Sequence, residues 1–186
     1  KKQNLVLYIL FSRKIIELGA GSGLLGLALL KSSERIESYT FTDYSPMILN
    51  LLRQNASLNF SDEQLETRVK IEELDWNQFS VNETPYDLIL AAGLQCVFLS
   101  FSLNAYFLIL DVVYDPSVIE SLVKTISILI ESNKSCVAYI ANAIRNPLTY
   151  EQFQQCLKNK CDLLNIDSID KDLSQAIEIV RISCHS

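Results

Sequence analysis

Histidine is almost missing from this chain. The one residue, His185, lies beside the end of the sequence, which argues against a histidine-based triad or histidine acid–base chemistry. No Tyr-x-x-x-Lys pair is present either, which counts against a nicotinamide-dependent oxidoreductase. The five cysteines, Cys96, Cys136, Cys156, Cys161 and Cys184, form no C-x-x-C unit. Cys156 and Cys161 have the wrong spacing for half a metal site and no second ligand pair to complete one. They read instead as buried, reduced thiols on apolar segments, which points to the cytoplasm. Positive charge is in deficit: 16 Lys and Arg face 22 Asp and Glu, for a net charge of -6. That balance excludes non-specific attraction to nucleic acid or to an acidic membrane. There is no internal repeat and no low-complexity linker, and 186 residues that are 49% hydrophobic suit one α/β domain with a sizeable core.

Glycine is scarce too, with five in the chain, and three of them, Gly19, Gly21 and Gly23, fall in one turn. The turn ends an apolar strand, Lys14 to Leu18, with Glu17 just before the first glycine, and leads into the helix-like run that starts at Leu24. Glycines here let backbone N–H groups approach a ligand that Cβ atoms would hold off, and the helix N-terminus favours negative charge. The pattern is that of a nucleotide pocket.

Two nucleotide classes compete for it. Gly21-Ser22-Gly23-Leu24-Leu25-Gly26 is a G-x-G-x-x-G sequence, which also occurs in dinucleotide folds. S-adenosylmethionine fits the flanking acids better. Glu17 is placed to meet a methionine ammonium, directly or through water, while the helix N-terminus faces the methionine carboxylate. Asp43 ends the next apolar strand about 20 residues on, where a carboxylate accepts both ribose hydroxyls of either nucleotide. At the end of the third strand, Leu74-Asp75-Trp76 offers Asp75 to an exocyclic adenine amine and Trp76 to the ring edge.

Strand-like and helix-like segments alternate along the chain. Strands are expected over 14–18, 38–43, 69–74, 86–90, 135–142, 161–167 and 175–182, and helices over 24–31, 46–58, 117–131 and 149–158, with Ser45 before Pro46, Pro116-Ser117 and Pro147 marking helix starts. Residues 60–68 are polar and read as a solvated loop. The alternation predicts βαβ units, hence a mostly parallel seven-stranded sheet with helices on both faces.

Together these pieces resemble the seven-strand protein lysine methyltransferases that modify translation factors, chaperones and calmodulin. The resemblance runs through Ile16 to Gly23, Asp43, Asn55 to Asn59, Leu74 to Trp76, Tyr86 to Ala92 and Asp111-Val112-Val113-Tyr114. Arg145-Asn146-Pro147, with Tyr150 and Phe153, looks most like the branch acting on elongation factor 2. The resemblance implies a Rossmann-like methyltransferase fold, S-adenosylmethionine as cofactor, and a protein substrate, elongation factor 2 before a chaperone or calmodulin. It also implies a monomer in the cytoplasm, with no metal, nucleic acid or membrane involved. It places the cofactor on Glu17, Gly19, Ala20, Gly21, Gly23, Asp43, Tyr44, Asp75, Trp76 and Ala91, and makes Asp111 and Tyr114 the catalytic acid and aromatic where donor methyl and lysine meet.

The methyltransferase domain is thus expected over 14–186, with residues 1–13 a fragmentary N-terminal segment that stands where a substrate-recognising region belongs. One departure is large. An apolar stretch, 93–110, separates Ala92 from Asp111, and excising it joins Leu90-Ala91-Ala92 to Asp111-Val112-Val113-Tyr114 as the family reads. A retained intron fits its length and ends, and would make this an inactive or misannotated form. A membrane span over 94–113 is about long enough but is diluted by Gln95, Ser100, Ser102 and Asn104. Because 86–91 and 106–113 compete for one central strand position, deleting 93–110 is expected to raise both melting temperature and solubility. A deletion variant that melts lower and is less soluble than the parent would show the segment to be part of the fold.

Overall fold

The computed structural model describes residues 12–80, 84–91, 113, 115–160, 164–172 and 177–184. The expected insertion, 93–110, and both expected catalytic residues, Asp111 and Tyr114, lie outside them, as do Cys96, Cys161 and His185.

Among the described residues seven strands form one sheet: β1 (Lys14–Leu18), β2 (Ser38–Asp43), β3 (Val69–Glu73), β4 (Leu88–Ala91), β5 (Val137–Ala143), β6 (Leu164–Asp172) and β7 (Ile177–Cys184). Their order is β3-β2-β1-β4-β5-β7-β6. The first five are parallel, and β7 runs antiparallel to both β5 and β6. The helices are α1 (Leu24–Ser32), α2 (Pro46–Ser57), α3 (Asp62–Arg68), α4 (Ile119–Ser132), preceded by a 3-10 turn at Pro116–Val118, and α5 (Pro147–Lys160). This is the mostly parallel, Rossmann-like sheet that the alternation predicts.

β4 is buried at every position, as a parallel strand with helices above and below must be. Parity along the strands sorts the core into two layers. Ile16, Leu18, Ile89, Ala91, Ile140 and Val180 pack under α4 and α5 on one face. Ile15, Tyr39, Phe41, Leu88 and Leu90 pack under α1 and α2 on the other. The buried stripe of α4, Ile119, Leu122, Val123, Ile126, Leu129 and Ile130, repeats at three and four residues and fills the first layer.

One expectation is overturned. Residues 62–68 are helical, not a loop, because Ser61 and Gln64 make a reciprocal capping box: the Ser61 hydroxyl accepts from Gln64 N at 3.4 Å, and Gln64 Oε1 accepts from Ser61 N at 3.1 Å. The helix buries none of its residues, so the polar composition that suggested a loop is its solvated surface. The thiols also differ from the buried set expected: Cys136 is buried, whereas Cys156 and Cys184 are only half-buried. Among the described residues no helix is long and apolar enough to cross a membrane, and no cluster of His, Cys, Asp and Glu has a metal-holding arrangement.

Candidate active site

In this strand order the topological switch falls between β1 and β4, where parallel α/β sheets open a ligand crevice at the carboxyl ends of the strands. Leu18 and Ala91 stand side by side there in the β1–β4 register, so the turn after β1 and the end of β4 form the two lips. Gly19, Gly21 and Gly23 all adopt positive φ, at 68°, 56° and 81°, the left-handed region that side chains resist. Gly23 is held there twice over, because a Cβ would come within 2.0 Å of Leu52 Cδ1.

The turn is pinned to the neighbouring strand. Ala20 N donates to Thr42 O at 2.8 Å, and the Thr42 hydroxyl donates to Glu17 O at 2.7 Å. Gly21 N donates to Asp43 Oδ2 at 3.2 Å, and Ser45 N donates to Asp43 Oδ1 at 3.0 Å. Asp43 is partly buried and each of its oxygens takes one amide proton. A carboxylate has about four acceptor positions, so two remain for hydroxyl donors.

Glu17 is placed differently from the expectation. Its residue is 1% exposed and its carboxylate turns under the glycine turn: Oε2 accepts from the Tyr39 hydroxyl at 2.8 Å, and the backbone N–H of Gly26 donates to it as well. Gly26 is the third residue of α1, and the helix has no side-chain cap at Gly23. Glu17 therefore caps α1 from inside the protein, supplying the acceptor that the N-cap lacks. The close fit that brings Gly26 to Glu17 also explains the glycine, since a Cβ there would lie 2.2 Å from Phe41 Cε1 and 2.4 Å from Tyr39 Cε1. Burial pushes the Glu17 carboxyl up to about 8, against the lowering effect of its bonds to Tyr39 and Gly26. Burial and the adjacent Glu17 raise Tyr39 as well.

Asp75 and Trp76 follow β3 at the same edge of the sheet. Asp75 accepts from Asn77 N at 2.9 Å, Asn77 Nδ2 at 3.1 Å and Gln78 Nε2 at 3.0 Å. The backbone bond from Asn77 contributes most to holding its carboxyl below the usual carboxylate range. Trp76 leans with Leu74 and Phe79 on the α4–α5 core layer, so its ring has a packing partner of its own. Tyr44 is 69% exposed, and Ala91 is fully buried at the end of β4. Val113, inside the expected acid–aromatic segment, is buried in the α4–α5 layer. The structure thus gathers Gly19, Ala20, Gly21, Gly23 and Asp43 into one cradle, sets Asp75 on the same sheet edge, and withdraws Glu17 beneath it. The tie from Tyr39 to Glu17 was not foreseen.

A family model described as lysine methyltransferase matches residues 8–106. The chain belongs to that family. Protein-lysine N-methyltransferase EEF2KMT of Homo sapiens is 30% identical over 155 residues, 76% of this chain and 41% of that protein. An uncharacterized Dictyostelium discoideum protein is 33% identical over 189 residues, 90% of this chain and 48% of that one. The chain therefore spans less than half the length of these relatives. Among solved structures, the methyltransferase domain of bacterial CtHen1-C superposes with a TM-score of 0.67 at 14% identity, covering 100% of this chain and 96% of that one, which is a likeness of fold.

The buried cap makes a pH prediction. In the unfolded chain Glu17 ionises near 4.5, its ordinary value, whereas in the fold it holds its proton up to about 8. Between these values the native state binds the extra proton, so stability falls as pH rises through that window and levels off above it. Glu17→Gln keeps an acceptor for Tyr39 and Gly26 without the charge. Urea midpoints measured from pH 5 to 8 are expected to decline less in the variant than in the parent, by up to several kcal/mol in unfolding free energy over the window. Parallel declines would show that Glu17 is ionised in the fold.

Proposed function

We propose that this domain transfers a methyl group from S-adenosylmethionine to a lysine side chain of a protein, with elongation factor 2 as the substrate. The observation that carries the proposal is the cradle: three left-handed glycines at the N-terminus of α1, closed by Asp43 at the end of the neighbouring strand. A cradle of bare backbone beside a carboxylate with acceptor capacity to spare suits a nucleoside with a charged amino-acid tail.

In this reading the first backbone N–H groups of α1 hold the methionine carboxylate, Asp43 holds the ribose hydroxyls, and Asp75 receives the adenine amine. Glu17 braces the cradle from below. When bound, S-adenosylmethionine supplies an electrophilic methyl on a sulfonium. The protein's part is to align a neutral ε-amine with it, a matter of positioning worth up to about 7–11 kcal/mol in favourable cases. Burying the lysine in a narrow apolar and aromatic channel lowers its pKa and frees the nitrogen lone pair. By resemblance, Asp111 and Tyr114 orient and enclose that amine. Similarity to EEF2KMT over 76% of this chain and the Arg145-Asn146-Pro147 segment support elongation factor 2.

The test has two parts. Isothermal titration is expected to show S-adenosylmethionine binding, weakened by about 1–3 kcal/mol in Asp43→Ala, the usual cost of losing a hydrogen bond to a charged group. Unchanged affinity would remove Asp43 from the site. Radiolabelled methyl transfer is then compared on purified elongation factor 2, calmodulin and a chaperone. Label on elongation factor 2 alone supports the proposal, and label on one of the others reassigns the substrate.

A further inference from the structure

Among the described residues two buried side chains have polar atoms without a hydrogen-bond partner, Thr125 at its hydroxyl and Asn142 at both ends of its amide. Asn142 is 1% exposed, and neither its Nδ2 nor its Oδ1 has a hydrogen-bond partner. Exchanging the two atoms changes nothing, since both are unpartnered. A buried amide without partners destabilises the fold, and such groups are rare enough to need an explanation.

Its setting is specific. Asn142 lies one residue before the end of β5 and stands directly opposite Glu178 in the β5–β7 register, so both face the α4–α5 layer with their side chains adjacent. Glu178 is itself 4% exposed and accepts from the Tyr150 hydroxyl of α5 at 2.6 Å. Three polar groups thus converge at the carboxyl edge of the sheet, inside a mostly apolar layer. Along that edge the cradle occupies β1 and β2, and Ile140 of β5 pairs with Ala91 of β4. Asn142 is therefore on the strand next to the crevice, on the side away from the cofactor cradle, where an acceptor has to enter.

We propose that Asn142, with Glu178 beside it, is a positioning site for the amine of the substrate lysine. An ammonium or amine presents N–H donors, and an amide oxygen next to a carboxylate is the complementary pair of acceptors. The Tyr150 hydroxyl holds the carboxylate in place. The ligand then supplies the donor that Asn142 Oδ1 lacks, and the stability given up in its absence is a cost kept for function. This inference rests on the lysine-directed reading above.

The test uses n-butylammonium, the side-chain cation of lysine, and needs no protein substrate. It is titrated into the chain with and without S-adenosylhomocysteine, while the Asn142 side-chain amide resonance is followed, assigned by its loss in Asn142→Leu. A saturable shift is expected, with amine affinity at least tenfold weaker in Asn142→Leu and in Glu178→Gln. In Asn142→Leu the affinity for S-adenosylhomocysteine should stay within twofold and the melting temperature should not fall. The smaller Asn142→Ala repeats the affinity comparison. Equal amine affinity in parent and variants, or no saturable shift, would overturn the inference. So would a lower melting temperature in Asn142→Leu, which would mark a structural amide satisfied by a buried water. Failure of S-adenosylhomocysteine to bind the parent would instead count against the methyltransferase reading.

Discussion

The carboxyl group of Glu17, buried between the Tyr39 hydroxyl and the Gly26 N–H, is the contact on which the cradle depends. A glycine turn needs freedom to adopt positive φ, yet a ligand needs the turn in one shape. Glu17 reconciles the two from beneath. It fixes the first turn of α1, and through α1 the direction of the N–H groups that end the helix. Its own carbonyl is held by Thr42, and the next strand residue, Asp43, reaches over to Gly21. The end of β2 therefore grips the turn from two sides, and Gly26 permits the helix to lie directly on the rings of β2.

The fold was legible because its signals are local. Apolar runs closed by glycine or by an acid set β1 and β2 to the residue, and proline marked the starts of α2 and of the turn before α4. Where local signals are ambiguous the reading slipped. The capping pair Ser61 and Gln64 was present, but a seven-residue helix that buries nothing has no apolar period to reveal it. β4 begins at Leu88 rather than Tyr86, although the backbone of Asp87 already bonds Lys14 O and Val137 N and its carboxylate accepts from the backbone of Arg13 and Lys14.

The site was legible in its residues and less so in their directions. An acid before a glycine turn can point out to a ligand or inward to the helix, and the choice is made by Tyr39, which reaches Glu17 only through the β1–β2 register. The pairing of Asn142 with Glu178 likewise depends on an antiparallel strand 36 positions away in sequence. Asp75 was assigned to an adenine on its position, and in the fold it also caps its own turn. Tertiary register, which no single segment carries, accounts for each of these differences.

The cradle and the end of β5 treat buried polarity differently. At the cradle every acid has donors already, and a ligand adds to a satisfied network. At Asn142 the side-chain amide is unmatched among the described residues, and in the proposed reading an amine donates to its oxygen. The central claim is that the cradle is shaped by groups behind it rather than by groups touching the ligand. A crystal structure of the chain with S-adenosylhomocysteine tests this most directly. The account predicts the ribose hydroxyls on Asp43 with the Glu17 carboxylate still on Tyr39 and Gly26. A ligand ammonium bound to Glu17, with Tyr39 released, would contradict it.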